Sequence, residues 1–379
     1  GDFFESLSST NHQEAIELAK QASTRPMDVS HGVIRVTLIH VDSDTSLLVL
    51  VVHHAVSDGW SLGIIVRELW EFYNGLCEDK APEELSLPHL PLQFVDYSYW
   101  QQELQKHHHY DNKLEYWRRE LSSPAPVLGL SNAKTKAGNT AASTLAFYLI
   151  HEQVDALRAL SRKNRTSLNV VLLTAYAVSL CRQSGQDAVL IQVPVAGREN
   201  ETEALVGCFA DALILKISCL ADQTFDDYIQ QTHRQLYDGI KHAVPMGLLL
   251  NELELRPAEK LKLHRAVLHW EQTLSLRDTQ EVPKGGLRSE PFDAKQNEEV
   301  QIAAQSHSVL NINETPEGMM RAEWLFSKSA IDDDTMHALV RTFRELLSQR
   351  PDQPSPPPAA PTPAPVKAVE PAAPTQSAP

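Results

Sequence analysis

The chain has 379 residues, with 34 Lys and Arg against 49 Asp and Glu, a formal charge of −15. That length predicts two or three domains, each able to bury a core, and a 42% hydrophobic share with 22% charged residues describes an ordinary globular chain. The acidic balance excludes a nucleic-acid binder, which needs Lys and Arg to neutralise phosphate.

The opening Gly1-Asp2-Phe3-Phe4 reads as a piece of a longer polypeptide. Val33 to Ile39 predicts a strand, Asp42 to Thr45 a turn, and Leu47 to Val52 a fully buried strand. Ser61 to Tyr73 switches to helical spacing, with Leu62, Ile65, Val66, Leu69, Trp70 and Tyr73 on one face. Two further helices are predicted over 93–105 and 111–121, and the polar stretch 123–144 reads as a crossover. A strand over 145–149, a helix over 153–163 and a buried helix over 168–183 follow. Strands over 188–194 and 212–217 precede a helix over 225–242. Later strands are expected near 264–270 and 307–312, and a last helix over 332–349. From Pro351 to Pro379, 11 of 29 residues are proline and 7 alanine, a composition that predicts a disordered, extended linker. The longest nearly apolar stretch, Val170 to Cys181, is too short to span a bilayer. Cys77, Cys181, Cys208 and Cys219 form no C-x-x-C pair, which fits a reduced, cytoplasmic protein without a disulfide framework.

The most informative stretch is Leu47-Leu-Val-Leu-Val-Val-His53-His54-Ala-Val-Ser-Asp58-Gly59-Trp60-Ser61. An apolar strand ends in two histidines, and an Asp-Gly turn then opens a helix. Successive strand side chains face opposite ways, so one histidine looks into a given cleft and a shared metal is disfavoured. The histidines either sit satisfied in a core or place one imidazole at a cleft for acid–base or positioning work. The Asp-Gly-Trp-Ser continuation favours the cleft. Elsewhere the residues read as structural. His107-His108-His109 is a solvated run, Asp332-Asp333-Asp334 a helix cap, Glu252 and Glu254 a solvated face, and Trp100 and Trp117 packing residues.

Val-Val-His-His-Ala-Val-Ser-Asp-Gly-Trp-Ser resembles the H-H-x-x-x-D-G core of nonribosomal peptide synthetase condensation domains. Three more segments carry the resemblance in order. Arg25-Pro26-Met27-Asp28 with Gly32 and Arg35 is similar to the family's R-P-F-D-L lead-in, and Phe94 to Gln101 to its Y-x-D-Y-A-x-W-Q helix. Pro194-Val-Ala-Gly-Arg198, with Glu201-Thr-Glu and Val206-Gly-Cys-Phe209, is similar to its P-V-A-G-R…E-T-E…I-G-x-F segment. The resemblance implies an α/β (α+β) fold of two chloramphenicol-acetyltransferase-like lobes in a V, with a tunnel between them. Residues 1–122 would be a partial N-terminal lobe, 123–144 the crossover, 145–350 the C-terminal lobe, and 351–379 the Pro/Ala-rich linker. It further implies amide formation between a carrier-bound donor acyl or peptidyl thioester and a carrier-bound aminoacyl amine. No cofactor or metal would be bound by the domain; substrates would arrive on the 4′-phosphopantetheine arms of upstream donor and downstream acceptor carrier proteins, within a megasynthase.

By the same resemblance His54 faces the tunnel, His53 points back into its lobe, Asp58 is structural and Gly59 lines the site. Trp60, Ser61, Arg198 and Asp211 are tunnel candidates and Arg35 is structural. An S-x-A-Q and an R-H-E-x-L-R segment, expected before Ala15, are absent. Asp58 therefore needs another partner, with Arg35 and Arg198 as candidates. Asp211 stands where the family usually has Asn, and Lys216 where it has Arg. The start of the helix near Ser61 is a candidate for stabilising developing negative charge. The rivals are a carrier- or coenzyme-A-dependent acyltransferase forming an ester, and a non-catalytic carrier-docking domain.

Overall fold

The computed structural model describes residues 3–121, 130, 142–220, 223–253, 263, 265–271, 287, 306–315 and 317–348. Most of the 123–144 crossover, Glu254 and the 351–379 linker lie outside them. The chain is mixed α/β, with a three-stranded and a six-stranded sheet.

The first sheet has the order β1 (Phe4–Ser8), β2 (Ile34–His40), β3 (Ser46–Val52). β1 and β2 are parallel, so the chain must cross over between them, and α1 (His12–Thr24) does so. Neither β1 nor α1 is expected from the sequence. The buried residues of α1 are Ala15, Ala19 and Ala22, whose small side chains give a weak hydrophobic signature. Asn11 caps α1 by accepting the Glu14 N–H at 3.0 Å. β2 and β3 form an antiparallel hairpin, and Asp42 Oδ1 braces its turn by accepting the Asp44 and Thr45 N–H groups. β3 is not fully buried as its composition predicts. It is one of the sheet's two edges, Leu48 is 50% exposed, and Leu50 to Val52 are half-buried. A run of aliphatic residues does not reveal whether both faces are covered.

The α2 helix (Gly59–Cys77) follows the histidines, and α3 (Phe94–Lys106) and α4 (Asp111–Glu120) come next. α4 belongs to the core of the second sheet. Leu114 and Trp117 are buried there, and Trp117 Nε1 donates to His242 O at 2.7 Å. Trp100, expected to pack, is 46% exposed. Glu252, expected to be solvated, pairs with Arg118 at 2.6 Å.

The second sheet runs β4 (Ala142–Leu149), β9 (Met320–Ser327), β8 (Ser308–Glu314), β7 (Ala266–Glu271), β5 (Ala188–Val195), β6 (Asp211–Ser218). β5–β7 and β7–β8 are parallel and the other pairs antiparallel. β9 is not expected from the sequence, although Met320, Ala322, Trp324 and Phe326 alternate inward along it. Against this sheet packs α6 (Leu168–Ser184), buried on all sides from Val170 to Cys181, which is why that stretch is apolar around its whole circumference. Ser167 caps its start, and Gly185, at φ 66°, closes its end in the left-handed conformation that suits glycine. α5 (His151–Lys163), α7 (Phe225–Lys241), the short α8 (Met246–Glu252) and α9 (Asp333–Leu347) complete the layers. Asp332 caps α9 by accepting the Thr335 N–H at 2.7 Å. Among the described residues no helix is long and apolar enough to cross a membrane.

Candidate active site

The β3 strand ends where the histidine pair begins. His53 continues the ladder by one bond, its N–H donating to Val33 O at 2.8 Å, and its carbonyl then accepts the Val56 N–H to close a tight turn. Its ring is fixed as well, because Nδ1 accepts the Ala55 N–H at 3.1 Å. That bond makes His53 part of the turn. His54 is exposed, and its Nδ1 lies 3.7 Å from Cys208 Sγ, a residue 154 positions away in the chain.

Asp58 caps α2 and anchors the two sheet-bearing units to each other. It is 4% exposed. Oδ1 accepts the Ser61 N–H at 2.8 Å and the Ser61 hydroxyl at 2.7 Å, and Oδ2 accepts the Phe209 and Ala210 N–H groups at 3.0 and 3.2 Å. Arg198 Nη2 reaches both oxygens, at 2.9 and 3.1 Å. Burial works against the charged carboxylate, but the Ser61 N–H and hydroxyl and the Arg198 guanidinium outweigh it, holding the Asp58 carboxyl below the ordinary range.

Arg198 is held equally firmly. Nη1 donates to Thr202 O and Leu205 O at 2.8 and 2.7 Å, and the guanidinium lies 4.2 Å from the Phe209 ring centroid. Of the two candidate partners for Asp58, the structure places Arg198 there. Arg35 is buried elsewhere, with Nη2 donating to Arg25 O at 3.0 Å and lying 3.5 Å from Pro26 O. It fastens the loop between α1 and β2.

The remaining tunnel candidates divide. Trp60 Nε1 donates to Glu203 O at 2.8 Å, a second bond across the units. Ser61 does not line open space: it is fully buried, with its hydroxyl between Asp58, Gly207 and Arg198. Its amide is taken by Asp58, so neither group is available to a developing oxyanion. Gly59 is exposed at the first position of α2. Asp211, half-buried at the start of β6, accepts the Ala212 and Met246 N–H groups. Burial raises its carboxyl pKa despite those two bonds.

Sequence reasoning missed Cys208, Gly207 and the aromatic group of Phe94, Tyr97 and Phe209. A Cβ on Gly207 would lie 2.2 Å from Phe94 Cδ2, so only glycine lets α3 close over this loop. On Gly197, at φ 61°, a Cβ would lie 2.1 Å from Phe209 O. Both glycines stand in the Val-Ala-Gly-Arg and Val-Gly-Cys-Phe segments, the signal that was available. His107 and His108 are exposed and pair with Glu103 and Asp111.

Comparison with known proteins supplies context for this geometry. A family model described as Condensation domain matches residues 3–362. A linear gramicidin synthase from Brevibacillus parabrevis is 28% identical over 351 residues, covering 91% of this chain and 7% of that protein. A plipastatin synthase from Bacillus subtilis (strain 168) is 31% identical over 244 residues, covering 63% of this chain and 9% of that protein. The chain thus spans less than a tenth of either relative. Among solved structures, the condensation domain from Monacolin K polyketide synthase MokA superposes with a TM-score of 0.76 at 22% identity, covering 94% of this chain and 81% of that one. The X-domain from teicoplanin biosynthesis superposes at 0.76 with 20% identity, over 94% and 80% of the two chains. An epimerization domain of a tyrocidine synthetase superposes at 0.70 with 20% identity, over 91% and 78%.

Proposed function

Because the chain belongs to the condensation domain family, we propose that it joins a carrier-bound acyl or peptidyl thioester to a carrier-bound aminoacyl amine. The observation that carries this reading is the exposed His54 imidazole, set on a turn that the buried Asp58–Arg198 pair holds between the two sheet-bearing units. The acceptor nitrogen attacks the donor carbonyl carbon, the C–N bond forms and the C–S bond breaks. The pantetheine sulfur leaves with a proton, and the lengthened chain stays on the acceptor arm.

An α-amine with a pKa of about 8 is partly neutral at physiological pH and already nucleophilic. A general base contributes about 10²–10⁴-fold, whereas alignment of two tethered reactants contributes effective molarities up to about 10⁵–10⁸ M. Positioning of the amine and the tetrahedral intermediate by His54 therefore matters at least as much as proton transfer. His53 holds the turn rather than touching substrate. The partners are the carrier proteins that bring both arms, and the domain needs no cofactor of its own.

A second reading, a docking domain without turnover, is favoured by one observation: the similar X-domain from teicoplanin biosynthesis has been solved in complex with OxyB. One experiment separates the two. Donor carriers loaded with a panel of acyl groups and acceptor carriers loaded with a panel of amino acids are mixed with the protein, and the acceptor mass is read after a single turnover. An amide adduct that falls about 10²–10⁴-fold in rate with His54→Ala, at unchanged carrier affinity, supports condensation. Carrier binding with no adduct from any pair, in either form, supports docking. Ester products from hydroxyacyl acceptors, or turnover with acyl-coenzyme A in place of the donor carrier, would support the other acyltransferase reading.

A further inference from the structure

Among the described residues the one side-chain hydrogen-bond contact of His54 is to a thiol. Cys208 sits in the loop before β6, with its Sγ 3.7 Å from His54 Nδ1. The backbone on either side of it is immobilised: the Gly207 N–H donates to Ser61 Oγ, and the Phe209 N–H to Asp58 Oδ2. The sulfur is thus delivered to the imidazole by the same knot of bonds that joins the two units, while Asp58 itself does not touch the ring. Resting on the condensation reading above, we infer that Cys208 is a positioning residue, whose sulfur accepts the His54 Nδ1–H and so leaves the Nε2 lone pair facing the acceptor amine.

The direction of the bond is inferred from the surroundings. A thiol is both a weak donor and a weak acceptor, so contact alone allows either S–H to Nδ1 or Nδ1–H to sulfur. The first would place the ring proton on Nε2 and turn that nitrogen into a donor. Two carboxylates bias the choice. Burial, then the charges of Asp58 and Asp211, raise the Cys208 pKa, so the group is a neutral thiol at physiological pH. An S–H turned toward those carboxylates would leave the sulfur lone pairs for the His54 Nδ1–H. Asp58 is matched by the Arg198 cation, whereas Asp211 is held by the backbone N–H groups of Ala212 and Met246. In a histidine whose two nitrogens are distinct in role, the hydrogen bond made by one fixes the protonation of the other. His53 offers the contrast within the same pair: its Nδ1 accepts the Ala55 N–H, which assigns it the opposite tautomer.

The tautomer is readable without turnover, which keeps this inference separable from the condensation reading. Protein labelled with ¹⁵N-histidine is examined at pH 8 by long-range ¹H–¹⁵N correlation, the His54 signals being assigned by their loss in His54→Gln. The expected result is a protonated-type Nδ1 and an unprotonated-type Nε2 in the native protein. Cys208→Ala should shift the tautomer ratio at least threefold toward Nε2–H, and Cys208→Ser, whose oxygen falls short of hydrogen-bond reach of Nδ1, should shift it the same way, with both variants keeping the native melting temperature within a few degrees. A His54 with its proton on Nε2 in the native protein overturns the inference, as does a ratio unchanged in Cys208→Ala. Should Cys208→Ala fold poorly, Cys208→Ser decides alone, and a native tautomer ratio in that variant overturns the inference. With cognate carriers, Cys208→Ala should lower kcat about tenfold at constant KM for the acceptor. A covalent acyl adduct on Cys208, seen by intact mass, would instead make the thiol a nucleophile and refute a positioning role. If the tautomer follows Cys208 while no amide forms with any carrier pair, the condensation reading fails and the tautomer assignment alone stands.

Discussion

Removing Arg198 should loosen the joint between the two sheet-bearing units. Arg198 and Asp58 side chains are each 3% exposed, with Nη2 at 2.9 Å from Oδ1. With charge centres about 4 Å apart, an effective dielectric of about 20 gives an attraction of about 4 kcal/mol. Breaking one half of a buried pair costs roughly 3–5 kcal/mol. Two features push this case to the lower end. Without Arg198, Asp58 keeps four donors, from Ser61, Phe209 and Ala210. Arg198 also carries a buried Nε with no hydrogen-bond partner among the described residues, a cost that its removal relieves. Arg198→Met is therefore expected to cost about 3 kcal/mol, which is roughly a hundredfold or more in a local opening constant. The assay is amide hydrogen exchange at about pH 7.5 on peptides covering 53–62 and 205–211, for Arg198→Met, Asp58→Asn and the double variant. A coupling of about 2 kcal/mol or more between the sites is expected, with the Phe209 and Ala210 amides exchanging fastest in Asp58→Asn. Single variants that each change protection less than threefold, and that add without coupling, would refute a role for the pair in joining the units.

Gly207→Ala should destabilise by roughly 1–3 kcal/mol, because its Cβ would press on the Phe94 and Phe209 rings; Gly207→Ala combined with Phe94→Leu should recover part of the loss in urea unfolding. His307 has its pKa lowered to about 4 by burial and by the charge of Arg265. Its folded value lies below its unfolded one, so the native state resists protonation, and stability should fall as pH drops from about 6.5 to 4, by at most about 3 kcal/mol. His307→Gln should flatten that part of the acid unfolding curve, and an unchanged curve would count against the assignment. For Asp211 the sign is opposite to that of a paired carboxylate. Burial raises its folded pKa, so the native state binds the proton more tightly, and stability should decline as pH rises from the unfolded value of about 4 through the folded one. Asp211→Asn keeps an oxygen for the Met246 N–H and should remove that decline, read from melting temperatures between about pH 4 and 8.

What the sequence determined here is what neighbouring residues decide among themselves. Asp58 caps α2 because its side chain reaches the Ser61 N–H three residues on, and Asp332 and Ser167 cap α9 and α6 in the same way. The apolar circumference of α6 announced a helix buried on all sides. The histidine pair at the end of a strand, with an Asp-Gly turn behind it, was visible as a candidate site because strand, turn and cap lie within about fifteen residues. The tertiary structure decided the rest. Whether Arg35 or Arg198 meets Asp58 depends on a contact across 140 positions, and no local pattern carries such a pairing. The same holds for Cys208 against His54, for Glu252 with Arg118, and for the burial of Ser61, since a hydroxyl after an Asp-Gly turn reads equally well as surface or as core. The composition of β3 predicts an enclosed strand and the structure shows a half-exposed edge, because an aliphatic strand has the same composition whether one face or two are covered. Local propensity is fixed by bonds a few residues long, while the partner of a buried charge is chosen by whichever distant group the fold brings within hydrogen-bond reach.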